Sequence, residues 1–314
     1  MSEMILPNFL IIGGHKCGTT SLYEHLRPHP QVFMPRLKEP SFFTFEGQNL
    51  DAYPNIKRNV VTRFEEYAAL FADADGKIAV GEASPMYLKC SASAPRIKGW
   101  LPNVRLIAIL RNPVDRAYSH FQMEFRNGTV KSADFMQAMQ EFETLPDGLR
   151  YQRYIHDGQY FTLLKPYFDL FGAENILVLL FDKMRSDPTG LMRSVYQFLR
   201  VELDFTPDLS EKHNEGGIWR SPLWRLYYRT IYPAFASVSN ALPESLHTRL
   251  ATFGKKLRKS AIVRSPELSP QVRSELNKIF HGEIVKLQDL IQQDLSDWLE
   301  VEPGNPLESL RLTL

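Results

Sequence analysis

Apolar residues along this chain fall into short blocks separated by turn residues, and the blocks alternate between two periods. Phe9-Leu-Ile-Ile12 is a continuous apolar run stopped by Gly13-Gly14, the pattern of a strand buried on both faces. From Thr19 the pattern changes: Leu22 and Leu26 stand one turn apart and Pro28 and Pro30 end the segment, which predicts a helix over 19–26. Ile78-Ala-Val80 and Val104-Arg-Leu-Ile-Ala-Ile-Leu110 predict two further strands. The first runs into Gly81-Glu-Ala-Ser-Pro85, and the second into a helix opened near Pro113, where proline suits the first turn. Tyr151 to Phe171 carries helical spacing through Tyr160, Leu163, Leu164, Tyr167, Phe168 and Phe171. Ile176-Leu-Val-Leu-Leu-Phe181 predicts a fourth strand, and Asp187-Pro188 opens a helix through Leu199.

Strands alternating with helices place the chain in the α/β class, with a central parallel sheet flanked by helices. Sheets of this kind bind ligands beyond the carboxyl ends of their strands, where Gly13, Arg111 and Asp182 fall. After about residue 205 the alternation stops. The stretch His213 to Leu242 holds Trp219, Trp224, Tyr227, Tyr228, Tyr232 and Phe235 without a strand signal, and Lys255 to Lys259 is a basic run. Ser269 to Trp298 shows amphipathic spacing at Leu276, Ile279, Phe280, Ile284, Leu287, Leu290 and Ile291, which predicts one or two terminal helices. No glycine- or serine-rich linker intervenes. A single domain over 1–314 is therefore expected, with a core at about 8–205 and a helical C-terminal extension at about 206–314.

Composition narrows the chemistry. Hydrophobic residues at 44% and charged residues at 23% describe an ordinary globular chain, and a formal net charge of +1 gives no global field to attract nucleic acid. Any anion must be held by a local site. Two cysteines, Cys17 and Cys90, make no disulfide framework and suit a reducing compartment. The N-terminal residues lack a basic region, and no apolar run reaches about 18 residues, so a cytoplasmic protein without a membrane span is expected.

Such a local site is offered by Gly13-Gly14-His15-Lys16-Cys17-Gly18-Thr19-Thr20, a glycine-bearing turn between a strand and a helix. Backbone N–H groups and the helix dipole point at a ligand there, Lys16 adds a full charge, and the threonine hydroxyls add donors. Lysine in the nucleoside-triphosphate loop stands immediately before the Ser/Thr, whereas Lys16 lies three positions before Thr19. Cys17 reads as a small loop filler, since no base adjoins it in sequence. A second anchor follows the third strand, where Arg111 ends the strand and Ser119 lies eight positions on, about two helical turns. Arginine offers a bidentate fork to phosphate, and a serine hydroxyl can complete the contact.

Taken together, Ile12-Gly-Gly-His-Lys-Cys-Gly-Thr-Thr20, Lys38-Glu-Pro-Ser-Phe-Phe43, Gly81-Glu-Ala-Ser-Pro-Met-Tyr87 and Leu110-Arg-Asn-Pro-Val-Asp-Arg-Ala-Tyr-Ser119 resemble the sulfotransferase family that uses 3′-phosphoadenosine 5′-phosphosulfate (PAPS). The likeness is to the branch with the heparan-sulfate N- and O-sulfotransferases and their bacterial relatives, and it covers roughly residues 8 to 205. It implies a P-loop-like three-layer fold and transfer of a sulfuryl group to a hydroxyl or amine of a sugar, lipid or other acceptor, leaving adenosine 3′,5′-bisphosphate and requiring no metal. The first loop (Gly14, His15, Lys16, Cys17, Gly18, Thr19, Thr20) would hold the 5′-phosphosulfate with Lys16 on the bridging oxygen. Arg111 and Ser119 would hold the 3′-phosphate, and Glu39 falls where the glycosaminoglycan enzymes carry their general base. Those enzymes have lysine where this chain has Ala83, and their C-terminal Lys-Gly-Arg has no clean counterpart near Ser260 to Arg264, where Arg264 or Lys259 would have to substitute.

Each residue also has a plainer reading. Glu39 as a surface carboxylate paired with Lys38 or Arg36 competes with the base, His15 and His120 are rival bases, and Phe42 and Phe43 suit core packing as well as an acceptor pocket. Two other functions compete as well. One is an ATP-Mg²⁺ kinase or NTPase, with Asp182 after an apolar strand as the metal holder. The other is a non-catalytic nucleotide- or carbohydrate-binding protein on the same scaffold.

Overall fold

The computed structural model describes residues 4–50, 60–143, 154–209, 217–227, 230, 254, 260–263 and 266–299. Five parallel strands form the central sheet: β1 (Phe9–Ile11), β2 (Val32–Phe33), β3 (Ala79–Ala83), β4 (Arg105–Leu110) and β5 (Ile176–Leu180), in the order β2-β3-β1-β4-β5. The helices are α1 (Thr19–Leu26), α2 (Phe42–Phe45), α3 (Phe64–Ala69), α4 (Met86–Lys89), α5 (Ser93–Trp100), α6 (Pro113–Asn127), α7 (Phe135–Glu143), α8 (Tyr160–Phe171), α9 (Phe181–Ser186), α10 (Pro188–Leu199), α11 (Pro222–Leu226), α12 (Pro270–Ile291) and α13 (Ser296–Leu299). A further pair, β6 (Ile218–Trp219) and β7 (Ile262–Val263), is antiparallel. None of the described helices is long and apolar enough to cross a membrane.

The strand that sequence places at 78–80 begins one residue later and continues through Gly81 and Glu82. Those two residues look like loop in sequence, yet all five positions of β3 are buried. Gly81 is required there because the Phe9 ring lies 2.5 Å from where its Cβ would be. β2 carries only two residues and gives no periodic signal; its neighbour Gln31 anchors it, its carbonyl accepting from Ala79 N at 3.1 Å. The short pair β6–β7 likewise falls in the aromatic stretch where sequence shows no strand.

Contacts divide the chain into two compact units. The first comprises residues 1–116, 155–214 and 276–301, and contains the parallel sheet. The second comprises 117–154, 215–275 and 302–314. α12 follows its expected spacing in part: Leu276, Phe280, Ile284 and Leu287 are buried in the first unit, whereas Ile279 is 45% exposed. In the second unit the Phe135 ring packs against Phe121 at 5.2 Å and Tyr154 at 5.6 Å, and Trp219 donates its indole N–H to Arg126 O at 2.7 Å. Tyr228, Tyr232, Phe235, the Lys255 to Lys259 run and Arg264 lie outside the described residues.

Candidate active site

Position β1 at the centre of a parallel sheet and the segment after it must emerge at the carboxyl edge, between β3 and β4. The loop Gly13 to Gly18 does so, and its glycines are demanded by space. A Cβ on Gly13 would meet Ile109 N at 2.2 Å, and one on Gly14 would meet Cys17 Sγ at 2.7 Å. Gly18, at φ 96°, is the N-cap of α1, with no side-chain cap and no acid in the first turn. The positive end of the helix therefore faces the loop, as an anionic group requires. Lys16 itself is left-handed at φ 69°, an unfavourable conformation for a residue with a Cβ. Cys17 is fully buried, with Sγ 3.5 Å from the Tyr160 hydroxyl, and burial pushes its thiol pKa up. It fills the loop, as its sequence context implies.

Asp157 is a loop-facing residue that sequence reasoning missed. It sits in the 3₁₀ turn His156–Gly158, 5% exposed, with Oδ2 3.9 Å from His15 Nδ1, 3.6 Å from Lys89 Nζ and 4.0 Å from an Arg116 terminal nitrogen. Its Oδ1 lies 3.8 Å from His156 Nδ1. Burial alone would raise its pKa, but His15 and His156, with the charges of Lys89 and Arg116, outweigh it and hold the carboxyl well below the usual range. For His15 the balance runs the other way: burial lowers its pKa, and Asp157 and Glu39 only partly oppose this. A lone His-Asp-Gly turn carries no spacing signal, and Asp157 was beyond reach of sequence for that reason.

Glu39 lies beside the end of β3, its amide donating to Ala83 O at 3.2 Å. It is left-handed at φ 61°, as is Ser41 at φ 52°. Lys38 Nζ donates to Glu39 Oε1 at 2.5 Å, so the expected neighbour pairing is present, and the Glu39 side chain is 38% exposed. Phe42 and Phe43 are fully buried against Tyr67 and Tyr87 and belong to the core.

At the tip of β4, Asn112 caps α6, its Oδ1 accepting from Val114 N at 3.0 Å and Asp115 N at 3.3 Å. Arg111 stands just before it with its guanidinium 5.1 Å from the Phe181 ring, and that ring lies 2.8 Å from where a Gly18 Cβ would be. Phe181 thus links Arg111 to the end of the loop. Ser119 lies half-buried further along α6, in the second unit, where His120 is buried with Nε2 3.9 Å from Glu124 Oε1. Asp182 departs from the metal-holder reading. The chain turns into α9 at Phe181, leaving Asp182 exposed in a first helical turn.

A parallel α/β sheet, a glycine loop leading into a helix N-terminus and basic residues at the strand ends define a nucleotide- or phosphate-binding class of protein. Residues 6–215 match the sulfotransferase domain family, and this chain belongs to that family. It is 28% identical over 217 residues to human bifunctional heparan sulfate N-deacetylase/N-sulfotransferase 2, covering 67% of this chain and 24% of that protein. To mouse carbohydrate sulfotransferase 15 it is 29% identical over 271 residues, covering 69% and 46%. To the membrane-associated sulfotransferase kil1 of Dictyostelium discoideum it is 36% identical over 124 residues, covering 39% and 24%. The chain thus spans about a quarter to under half of these curated relatives. A sulfotransferase crystal structure from Alicyclobacillus acidocaldarius superposes with a TM-score of 0.71 at 27% identity, covering 94% of this chain and 100% of that one. The central parallel sheet with flanking helices is the P-loop-like fold expected.

Proposed function

We propose that this chain transfers the sulfuryl group of PAPS to a hydroxyl or amine of an acceptor, and that a sugar is the favoured acceptor class. The observation that carries the reading is the Gly13–Gly18 loop at the head of α1 in a chain of the sulfotransferase family. The acceptor class is supported by similarity to proteins named for heparan sulfate and carbohydrate sulfation.

The residues present fit an anionic nucleotide. Gly13 and Gly14 keep the backbone close to its neighbours, Gly18 leaves the α1 N-terminus without a side-chain cap, and Lys16 adds a cation. In this reading Gly14 to Thr20 hold the 5′-phosphosulfate, while Arg111 and Ser119 hold the 3′-phosphate. The donor supplies a sulfuryl group already activated by its phosphate leaving group. Lys16 offsets charge on the leaving oxygen, a task worth about 3–4 kcal/mol for a preorganised donor. Glu39 accepts the acceptor's proton, which is worth roughly 10²–10⁴-fold. Cys17 and Cys90 are both free thiols, in keeping with a cytoplasmic placement.

Calorimetric binding of adenosine 3′,5′-bisphosphate and of ATP, each with Mg²⁺ and with EDTA, tests the donor. Metal-independent binding of the bisphosphate, at least tenfold weaker in Arg111→Ala, is expected; tighter binding of ATP-Mg²⁺ would overturn the reading. Radiolabelled transfer to de-N-sulfated heparin, chondroitin and a simple phenol then separates sugar amine, sugar hydroxyl and non-sugar acceptors.

A further inference from the structure

Glu82 is a fully buried carboxylate near the carboxyl end of β3, and sequence gives it no role. Three hydroxyls converge on it. Tyr87 donates to Oε1 at 2.6 Å, Tyr67 donates to the same oxygen at 3.4 Å, and Ser84 donates to Oε2 at 2.8 Å. Ser84 Oγ in turn accepts from the Ser41 amide at 3.0 Å. Ser41 Oγ closes back on Glu39 O at 3.2 Å, and the Glu39 amide is held by Ala83 O, the residue next to Glu82. The chain so described runs from β3 into a loop with two non-glycine residues in the left-handed region.

Left-handed Glu39 and Ser41 are strained for residues that carry a Cβ, and such strain persists only where the surroundings over-determine it. An ionised carboxylate only accepts hydrogen bonds, so it obliges Ser84 to donate inward and to turn its lone pairs to the Ser41 amide. We propose that Glu82, acting through Ser84, is a positioning residue that locks the Glu39–Ser41 loop in its left-handed conformation and so aims the Glu39 carboxylate. The aiming part rests on Glu39 being the general base, as proposed above; the lock itself does not.

Burial raises the Glu82 pKa to about 7, with Tyr87, Ser84 and Tyr67 pulling it down and the Glu39 charge pushing it up. The titratable groups facing it are thus Tyr67 from α3, Tyr87 from α4 and Glu39 from the loop, with Lys38 bonded to Glu39. Once Glu82 gains a proton it becomes a donor, and the inward orientation of Ser84 is no longer enforced.

Amide exchange read by NMR tests the lock without any ligand. Protection of the Ser41 amide, corrected for intrinsic rate, should fall at least tenfold in Ser84→Ala and in Glu82→Gln, while the Leu22 amide, bonded to Gly18 O, keeps its protection. In the unsubstituted chain Ser41 protection should weaken as pH drops below about 7, a readout that survives if either variant fails to fold. Unchanged Ser41 protection in the variants and across pH would overturn the lock.

Adenosine 3′,5′-bisphosphate affinity should stay within twofold in both variants, while PAPS turnover with de-N-sulfated heparin falls at least tenfold at unchanged KM for PAPS. A parallel loss of nucleotide affinity would overturn the aiming role, since the defect would then reach the whole site. Failure of the unsubstituted chain to bind the bisphosphate would instead remove the sulfotransferase reading and leave the lock to the amide result.

Discussion

The Asp157 carboxylate lies 3.9 Å from Nδ1 of His15, which ties a buried acid outside the Gly13–Gly18 loop to a residue within it. With Lys89, Arg116 and His156 around it, Asp157 is the common counter-charge of this edge of the loop. Replacing it by asparagine withdraws a buried counter-charge from the fully buried Arg116 and from Lys89, and removing one partner of a buried pair costs up to about 3–5 kcal/mol. Asp157→Asn should therefore lower the urea midpoint markedly at neutral pH. The sign with pH follows from its depressed pKa: the stabilisation is present above the unfolded value of 3.8 and is lost as pH falls further. The gap between the parent and Asp157→Asn should narrow on acidification below that value, and a constant gap would exclude the assignment.

Gly13 gives a sharper steric test. Its absent Cβ would overlap Ile109 N at 2.2 Å, backbone that cannot swing aside. Gly13→Ala should destabilise by about 1–3 kcal/mol through overpacking. Gly99→Ala, where nothing lies within 4 Å of the added methyl, should be tolerated and serves as the control. Equal melting temperatures for the two variants would contradict the close approach of the loop to β4.

The parallel sheet and its loop were legible because buried strands and glycine turns leave local marks: β1, β4 and β5 lie within a residue of the expected bounds. Gly14 to Thr20 and Arg111 are marked by their residue types at strand ends, whereas Glu39 is marked only by the likeness of Lys38-Glu-Pro-Ser-Phe-Phe43 to the family motif. What sequence could not show are long-range partners. Asp157 reaches His15 from 142 positions away, and Tyr67 of α3 reaches Glu82 of β3 through its hydroxyl alone. Asp182 misled for a related reason: an apolar run followed by aspartate does not reveal that the chain turns helical at Phe181.

Lys16 and Glu39 should separate in kinetics. If Lys16 offsets leaving-group charge, Lys16→Ala lowers kcat by about 10²–10³-fold. Glu39→Gln should cost roughly 10²–10⁴-fold with nucleotide binding retained, since its carboxylate is assigned to the acceptor side. Lys38→Met is the discriminating partner. It removes the 2.5 Å bond to Glu39 without touching the carboxylate, so activity should survive it. Full turnover in Glu39→Gln would return Glu39 to a simple ion-pair partner of Lys38.

Glu82 should tilt stability in the direction opposite to Asp157. Its folded pKa of about 7 stands above the unfolded value of 4.5, so between these limits the native state keeps a proton that the unfolded chain has lost. Stability must then fall as pH rises through that window and level off above it. A displacement of this size corresponds to about 3 kcal/mol, as an order of magnitude, because each pKa unit carries about 1.4 kcal/mol. Glu82→Gln abolishes the titration, so urea unfolding at pH 5 and pH 8 should show a smaller pH 5 advantage in the variant than in the parent. The same substitution is expected to free the Ser41 amide, so a protein steadier at pH 8 would have a looser Glu39 loop. That combination separates a carboxylate kept for positioning from one kept for stability, and an unchanged pH slope would show that Glu82 does not titrate in this window.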